Sequence, residues 1–489
     1  MQNPPNEAAV REQVAPRPSD YASATHRVAL LDYLRVPYRV EHQAREDERL
    51  VVVRRPSASV CWPSPDTLRG ATAGFWRLGD TVVAGRLLSD AAADEILGVG
   101  WEPVEEIVRD DGSPAASLRR GRDGRMFLPF DPDEVVTNLW TEAYAELEGG
   151  AGGAVKAALR RLYYRLRPVM PRTLQLSLRR RAVRFQRQAR FPRWPIEPSL
   201  HDVLDLVLEL LGDADDPVPW IAPWPEPYQW AVVLTHDVET GYGLDHLSLL
   251  RDVELAEGFR SSWNLVPRRY AVSDDVVAEL GANGFEVGVH GLYHDGKDLE
   301  SPDTIRRRLP EIRQWAERWG SVGFRAPATH RDWDAMPTLG FDYDSSYPDT
   351  DPFEPMAGGC CSWFPYTHDE MVELPITLPQ DHTLYEILRV SALDEWRSKA
   401  DAIRERGGMA LVITHPDYMV APERVEDYRG LLAHLSVPDA WRALPRDVCS
   451  WWRRRAASEL EESPDGWKIR GPARGEGTVT YGPRRRVLT

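Results

Sequence analysis

A chain of 489 residues is longer than one ordinary core can serve and implies about two to four domains. Hydrophobic content of 42% with 28% charged residues excludes a disordered chain, and a net charge of −16 argues against a general nucleic-acid binder and for a soluble protein with an acidic surface. The N-terminal MQNPPNEAAVREQVAPRPSD lacks the apolar core of a signal peptide, and no apolar run reaches the ~18 residues of a membrane span, so a cytoplasmic location is expected.

Residues 1–25 read as a flexible polar tail. Over 26–148, YLRVPYRV, RLVVVRRP and TVVAGRLL read as strands and DAAADEILGVG as a helix, together a small α+β accessory domain. Residues 149–225 differ. After GGAGG there is no acidic residue between Glu148 and Glu197, while Lys156 and twelve arginines crowd 156–193. Helical spacing broken at Pro168 and Pro171 predicts two short basic helices, followed by a proline–tryptophan connector, PVPWIAPWPEPY. The arginines either bridge to the acidic remainder of the protein or form a peripheral patch for anionic membrane or a phosphate-bearing glycolipid. The eighteen tryptophans are expected mostly in cores, with a few able to line a sugar-binding cleft. Cys61, Cys360, Cys361 and Cys449 form no CxxC pair and read as reduced structural thiols.

From 226 to 425 strands and helices alternate. AVVLTHD, RSSWNLV, FEVGVH, VGFRAP, FDYDSS, VELPIT and ALVITH read as strands, separated largely by helical patterns such as TIRRRLPEIRQWAERWG. That order predicts parallel pairing in an α/β barrel or open sheet, with functional groups at the strand ends. Residues 426–489 read as a helix and a short hairpin, KIRGPARGEGTVTYGP, over a barrel edge.

Polar residues gather at those strand ends: Thr235-His236-Asp237-Val238-Glu239, His290-Gly291-Leu292-Tyr293-His294, Arg325-Ala326-Pro327, Asp342-Tyr343-Asp344 and Thr414-His415-Pro416. A spacing of four is expected to put His290 and His294 on one side of a helical turn, where with one carboxylate they could hold a divalent metal and leave positions open for water and substrate. Asp342 and Asp344 are candidate substrate contacts, at most one of them at the mouth, with Pro327 beside them. Tyr293 is expected to be packed, and Glu373, Asp381 and His382 to lie on the surface or the cleft rim.

The succession THDVE, EVGVHGLYH, FRAP, FDYDSS and LVITHPD resembles the five motifs of the polysaccharide deacetylase (NodB-homology, carbohydrate esterase family 4-like) family, over about 40% of the chain. The resemblance implies an irregular seven-stranded (β/α) barrel and metal-assisted hydrolysis of an N-acetyl group on a sugar polymer. It implies that His290 and His294 bind the metal, zinc first and cobalt or others as alternatives. It further implies Asp237 as general base, Arg325 as its partner and His415 as the acid that protonates the leaving amine. The first motif departs from the family's adjacent aspartates, since Val238 follows Asp237. Either Asp237 is the base and Glu239 reaches the metal across a small bulge, or His236 takes the base position and Asp237 becomes the ligand. The first is preferred, because a carboxylate is the better base beside an arginine. The expected activity is removal of an N-acyl group from an amino sugar, glycan or glycolipid. Alternatives are hydrolysis of a non-carbohydrate C–N bond and a catalytically silent barrel that binds a glycan or a partner.

Overall fold

The computed structural model of the chain describes residues 28–40, 49–147, 180, 183, 191–354 and 356–488. The expected tail and nearly all of the basic stretch lie outside the described residues.

The N-terminal part is an eight-stranded sheet between Arg39 and Phe127. Its edge strand Thr81–Leu87 and helix Asp90–Leu97 fall where the sequence placed them. YLRVPYRV does not: Tyr33 and Leu34 end a helix, Ala29–Leu34, and only Arg39–Val40 is strand. Sequence reading also missed the long antiparallel hairpin Trp101–Val108 with Pro114–Gly121. Helix Ser199–Leu210, from the stretch read as connector, is buried on almost every side and shares this sheet's core.

The second sheet positions the site. Its strands are β1 (Trp230–Val238), β2 (Ser261–Leu265), β3 (Glu286–Val289), β4 (Gly323–Phe324), β5 (Tyr343–Asp344), β6 (Tyr366–His368), β7 (Met371–Glu373) and β8 (Met409–Thr414). Along the path β6-β7-β5-β4-β3-β2-β1-β8 every pairing is parallel except β6 with β7, and Ala440–Arg442 also pairs with β1. Each of the seven segments read as strands contributes to this sheet. The sheet curls until the chain beyond β7 meets β8: Leu378 N donates to Leu411 O at 3.0 Å, and Leu411 N donates to Thr377 Oγ1 at 2.8 Å.

Strand residues alternate between two faces, and each face has its own core. Trp230, Val232, Leu234 and Val238 of β1 join Trp263, Val287, Val289, Phe324 and Val412 against the helices outside. Ala231 and Val233 join Tyr343, Val372, Leu374, Met409, Leu411 and Ile413 inside the curl. The outer helices carry ordinary start and stop signals. Pro302–Trp319 begins with Ser301 accepting from Thr304 N and ends at Gly320 in the left-handed region (φ 62°).

The C-terminal hairpin is shifted from its expected place. Glu459–Ser463 pairs with Gly466–Arg470, while Val479–Tyr481 pairs with Pro219–Ile221. The loop after Gly471 (φ 113°) carries the chain from one sheet to the other. All four cysteines are free and buried, as expected. Among the described residues no helix is long and apolar enough to cross a membrane.

Arg455, on helix Pro445–Ala456, ties three regions together. Fully buried, it donates to the carbonyl oxygens of Tyr33 (2.9 Å), Ile221 (2.8 Å) and Ala222 (3.1 Å), and its guanidinium lies over Trp452. Burial pushes its pKa down to about 9. Arg455→Ala should therefore cost about 3 kcal/mol in chemical denaturation, because buried carbonyls lose their donors. Arg455→Lys should recover little of it, since one ammonium cannot span the same carbonyls.

Candidate functional site

Alternation along β1 turns Thr235 and Asp237 inward at the end where the parallel strands finish. There Asp237 Oδ1 accepts from Asn264 Nδ2 at 2.8 Å, and Arg325 Nη1 lies 3.5 Å from both carboxylate oxygens. Arg325 is itself held by Thr235 Oγ1 (3.2 Å) and Ser345 Oγ (2.9 Å). Asn264 reaches across because β3 has a glycine beside it: a Cβ on Gly288 would stand 2.1 Å from Asn264 Oδ1. Burial works against an ionised Asp237, but His290, Arg325, His415 and Asn264 together hold its carboxyl below the ordinary value.

Val238 turns outward and Glu239 follows on the same side as Asp237. The pairing of β1 with β2 runs in register to Val238, so the expected bulge is absent. Glu239 is anchored through its backbone N, which donates to Asp417 Oδ2 at 3.0 Å, and Tyr418 donates to its Oε2 at 3.1 Å. Its Oε1 stands 3.3 Å from His294 Nε2 and 4.0 Å from His415 Nε2. Burial opposes the ionised form of Glu239 too, but the histidines, His294 first, bring its pKa well below the usual range.

The alternation sends His236 to the other face. His236 points outward, its Nδ1 2.7 Å from Thr414 Oγ1 and its Nε2 2.7 Å from Glu254 Oε1, with its ring 4.1 Å from that of Trp263. It is fully buried in the helix-facing core and cannot serve as a base at the mouth.

The two candidate metal histidines are not on a helical turn. Residues 290–294 form a bent loop in which Gly291 (φ 64°) and His294 (φ 55°) take left-handed conformations. Only glycine fits at 291, because a Cβ there would meet Asp298 Oδ2 at 2.4 Å and Pro327 Cγ at 2.6 Å. The bend brings the imidazole centroids to 4.9 Å. His290 Nδ1 donates to Arg325 O at 3.0 Å, which leaves its Nε2 lone pair 3.6 Å from Asp237 Oδ2. Burial, against the pull of Asp237, lowers the His290 pKa to about 4. His294 Nδ1 takes a hydrogen bond from Arg269.

His415 comes from the end of β8, next to β1. Asp381 holds it twice, through the backbone N (2.7 Å) and through Nδ1 (2.6 Å), so Nε2 faces Glu239. Burial tends to lower the His415 pKa, but Asp381, with Glu239 and Asp237 adding, outweighs it and pushes the value up to about 10.

Whether a metal suits this cluster can be judged from its atoms. Two imidazoles and two carboxylates are a borderline-soft donor set of the kind zinc and cobalt accept. His294 Nε2 is buried, and Glu239 Oε1 at 3.3 Å is its neighbour, in a contact without hydrogen-bond geometry. As they stand, however, the two histidines face different carboxylates, and among the described residues no three His, Cys, Asp or Glu side chains converge as a metal site. The donors therefore fit in kind.

Several expected residues lie elsewhere. Asp342 precedes β5 at the opposite end of the sheet, half-exposed and paired with Arg453 at 2.9 Å. Asp344 points outward and is fully buried, so neither aspartate can touch a substrate at the mouth. Pro327 is buried against Gly291 and supports the histidine loop. Tyr293 is not packed but 44% exposed, with Arg308 over its ring. Glu373 and Asp381 are fully buried, not superficial; His382 is half-buried, its ring 5.1 Å from that of Tyr418. Asn264, Asp417 and Tyr418 were missed. The one available signal for Asn264 was a polar residue between Trp263 and Leu265, near the end of the strand segment RSSWNLV. Of the basic stretch, Arg180 donates to Glu386 O at 3.0 Å and Arg193 pairs with Glu197 at 3.2 Å, both within the protein.

In fold, the chain is similar to a number of solved structures. One is a protein from Mycobacterium smegmatis described as a polysaccharide deacetylase, with 22% identity over 47% of this chain and 92% of that one, at a TM-score of 0.41. Another is PuuE allantoinase, with 16% identity over 48% and 93% and a TM-score of 0.40. A third, also described as a polysaccharide deacetylase, is from Pseudomonas aeruginosa PAO1, with 17% identity over 46% and 92% and a TM-score of 0.38. No model of a known protein family matches the chain, and no curated protein does. The chemistry must be read from this chain's own residues.

The outward course of His236 makes a prediction. His236→Ala should lower stability by about 2–4 kcal/mol, as it opens a cavity and leaves Glu254 without a buried partner. Asp237→Asn should be destabilising as well, since it leaves the buried Arg325 without its counter-charge, but it should leave the packing of His236 undisturbed. A His236→Ala variant of unchanged stability would instead put His236 at the mouth.

Proposed function

We propose that this mouth is the active site of a metal-dependent hydrolase that removes an N-acyl group, in the first place N-acetyl, from an amino sugar or glycan. On this reading the curled sheet, within 226–425, is an irregular seven-stranded (β/α) barrel. Residues 26–148 form an accessory domain, 149–225 a connector and 426–489 an extension. The observation that carries the proposal is the convergence of an ionised Asp237 and an Asp381-bound His415, from adjacent strands, around Glu239 and two histidines.

An amide is a poor electrophile with a poor leaving group, so its hydrolysis needs a base for the water and an acid for the nitrogen. Asp237 supplies the base: held by Asn264 and Arg325, it takes a proton from the attacking water. As the C–N bond breaks, His415 Nε2 delivers a proton to the departing nitrogen, giving a carboxylic acid and an amine. Asp381 keeps His415 charged and aimed, and Arg325 balances Asp237. A divalent ion, zinc first and cobalt second, would be held by His290, His294 and Glu239 and would contribute Lewis-acid polarisation when bound. A silent binding barrel has no use for an acid–base pair so arranged. Arg180 and Arg193 make their contacts within the protein, which suits an internal role for those two arginines.

The test is metal content together with turnover on N,N′-diacetylchitobiose. His290→Ala should bind at least about tenfold less divalent metal. His415→Ala should keep its metal and lose about 10²–10⁴ in kcat. Full metal occupancy in His290→Ala, or normal turnover in His415→Ala, would overturn the reading.

A further inference from the structure

Behind the mouth, on the outer face of the sheet, two acids stand side by side. Asp344 and Glu373 are register partners on β5 and β7, and both are fully buried. Asp344 Oδ1 accepts from Ser346 Oγ at 2.9 Å, and Glu373 Oε1 accepts from the backbone N of Ser346 (3.1 Å) and of Tyr347 (3.0 Å). Asp344 Oδ2 and Glu373 Oε2 are left buried, without a hydrogen-bond partner among the described residues. Two adjacent carboxylates in a desolvated place cannot both ionise cheaply, and one proton between the two remaining oxygens satisfies both.

What this pair holds leads directly to the reactive cluster. Ser346 Oγ, while donating to Asp344, accepts from Ala326 N at 2.8 Å. Ser345 Oγ accepts from Arg325 Nη2 and donates to Leu374 O at 2.7 Å. Arg325 in turn fixes both candidate chemical groups, its guanidinium beside Asp237 and its carbonyl on His290 Nδ1. We propose that Asp344 and Glu373 form one proton-sharing positioning unit, which by holding the 345–347 turn sets the Arg325 segment and through it the orientation of Asp237 and His290. The inference rests on the reading of those residues as the chemical site. Asp344 and Glu373 touch neither substrate nor metal and act only through Arg325.

The pair's titration follows from its surroundings. Burial comes first in raising both groups, Asp344 to about 6 and Glu373 well above the usual range. Arg325 faces Asp344 and tempers its rise, while Tyr347, Tyr366 and Cys360, all with raised pKa values, remain neutral beside Glu373. Because the folded values exceed the unfolded ones, the unit's stabilising contribution is complete at low pH and is lost as pH rises through the raised values.

Hydrogen exchange of the Ala326 amide in the full-length protein tests this without depending on activity, with the β8 amides as an internal control. In the unmodified protein, protection of Ala326 relative to β8 should fall as rising pH removes the proton the pair shares, after correction for intrinsic exchange. Glu373→Gln, whose amide donates permanently to Asp344, should remain protected and show no such fall. Glu373→Ala should exchange at Ala326 at least about tenfold faster with β8 unchanged, and on N,N′-diacetylchitobiose should lose kcat more than KM. If Glu373→Ala fails to fold, the contrast between Glu373→Gln and the unmodified protein still decides. A pH-independent Ala326 in the unmodified protein, or equal loosening of Ala326 and β8 in Glu373→Ala, overturns the proposal. If exchange behaves as expected while the unmodified protein does not turn over the disaccharide, the positioning unit stands and the proposed activity falls alone.

Discussion

A carboxylate buried inside a sheet must find its counter-charge there, and for Asp237 that charge is Arg325. The two groups arrive from different strands, β1 and β4, and meet only because the sheet curls. Most of the mouth is arranged around this meeting. Thr235 and Ser345 hold the guanidinium, Asn264 takes up a carboxylate oxygen, and the Arg325 carbonyl fixes the tautomer of His290. An uncompensated Asp237 would be protonated or expelled.

A second constraint is the two-residue period of a strand. It sends Asp237, Asn264, Arg325, Ser345 and His415 to one face and His236, Asp344, Ser346 and Glu373 to the other. The outer set is as polar and as deeply buried as the inner one, yet its hydrogen bonds end within the protein. His236 is closed off by Thr414 and Glu254, and Glu373 by two backbone amides.

The parity also accounts for the altered first motif. A carboxylate adjacent to Asp237 would have to leave the strand to face the mouth, whereas Glu239, two residues on, faces it along a regular course. His415 approaches from β8 on the far side of Glu239, supported by an aspartate from the chain that closes the curl. Asp237, His415 and the histidine pair are thus carried by three separate strand ends, each fixed by its own anchor.

Much of this was legible in the sequence, because it depends on local pattern. The seven apolar segments, the alternation with helices and the polar residues at strand ends follow from hydrophobic periodicity and turn residues, which neighbouring side chains express by themselves. The accessory sheet was legible only in part: in WEPVEEIVRDDGSPAASLRRG the Asp-Gly turn signals a hairpin, but strands this charged lack an apolar alternation. Tertiary structure alone decided the rest. A four-residue spacing of histidines fits a helix, yet contact between Gly291, Asp298 and Pro327 bends that segment into a loop. Asp342 and Asp344 look alike in sequence, but one ends in solvent beside Arg453 and the other in the core beside Glu373, since burial depends on what packs from outside the strand. Asp381 met His415 only when the sheet curled, for partners 34 residues apart are joined by the closure of the fold and not by any local rule.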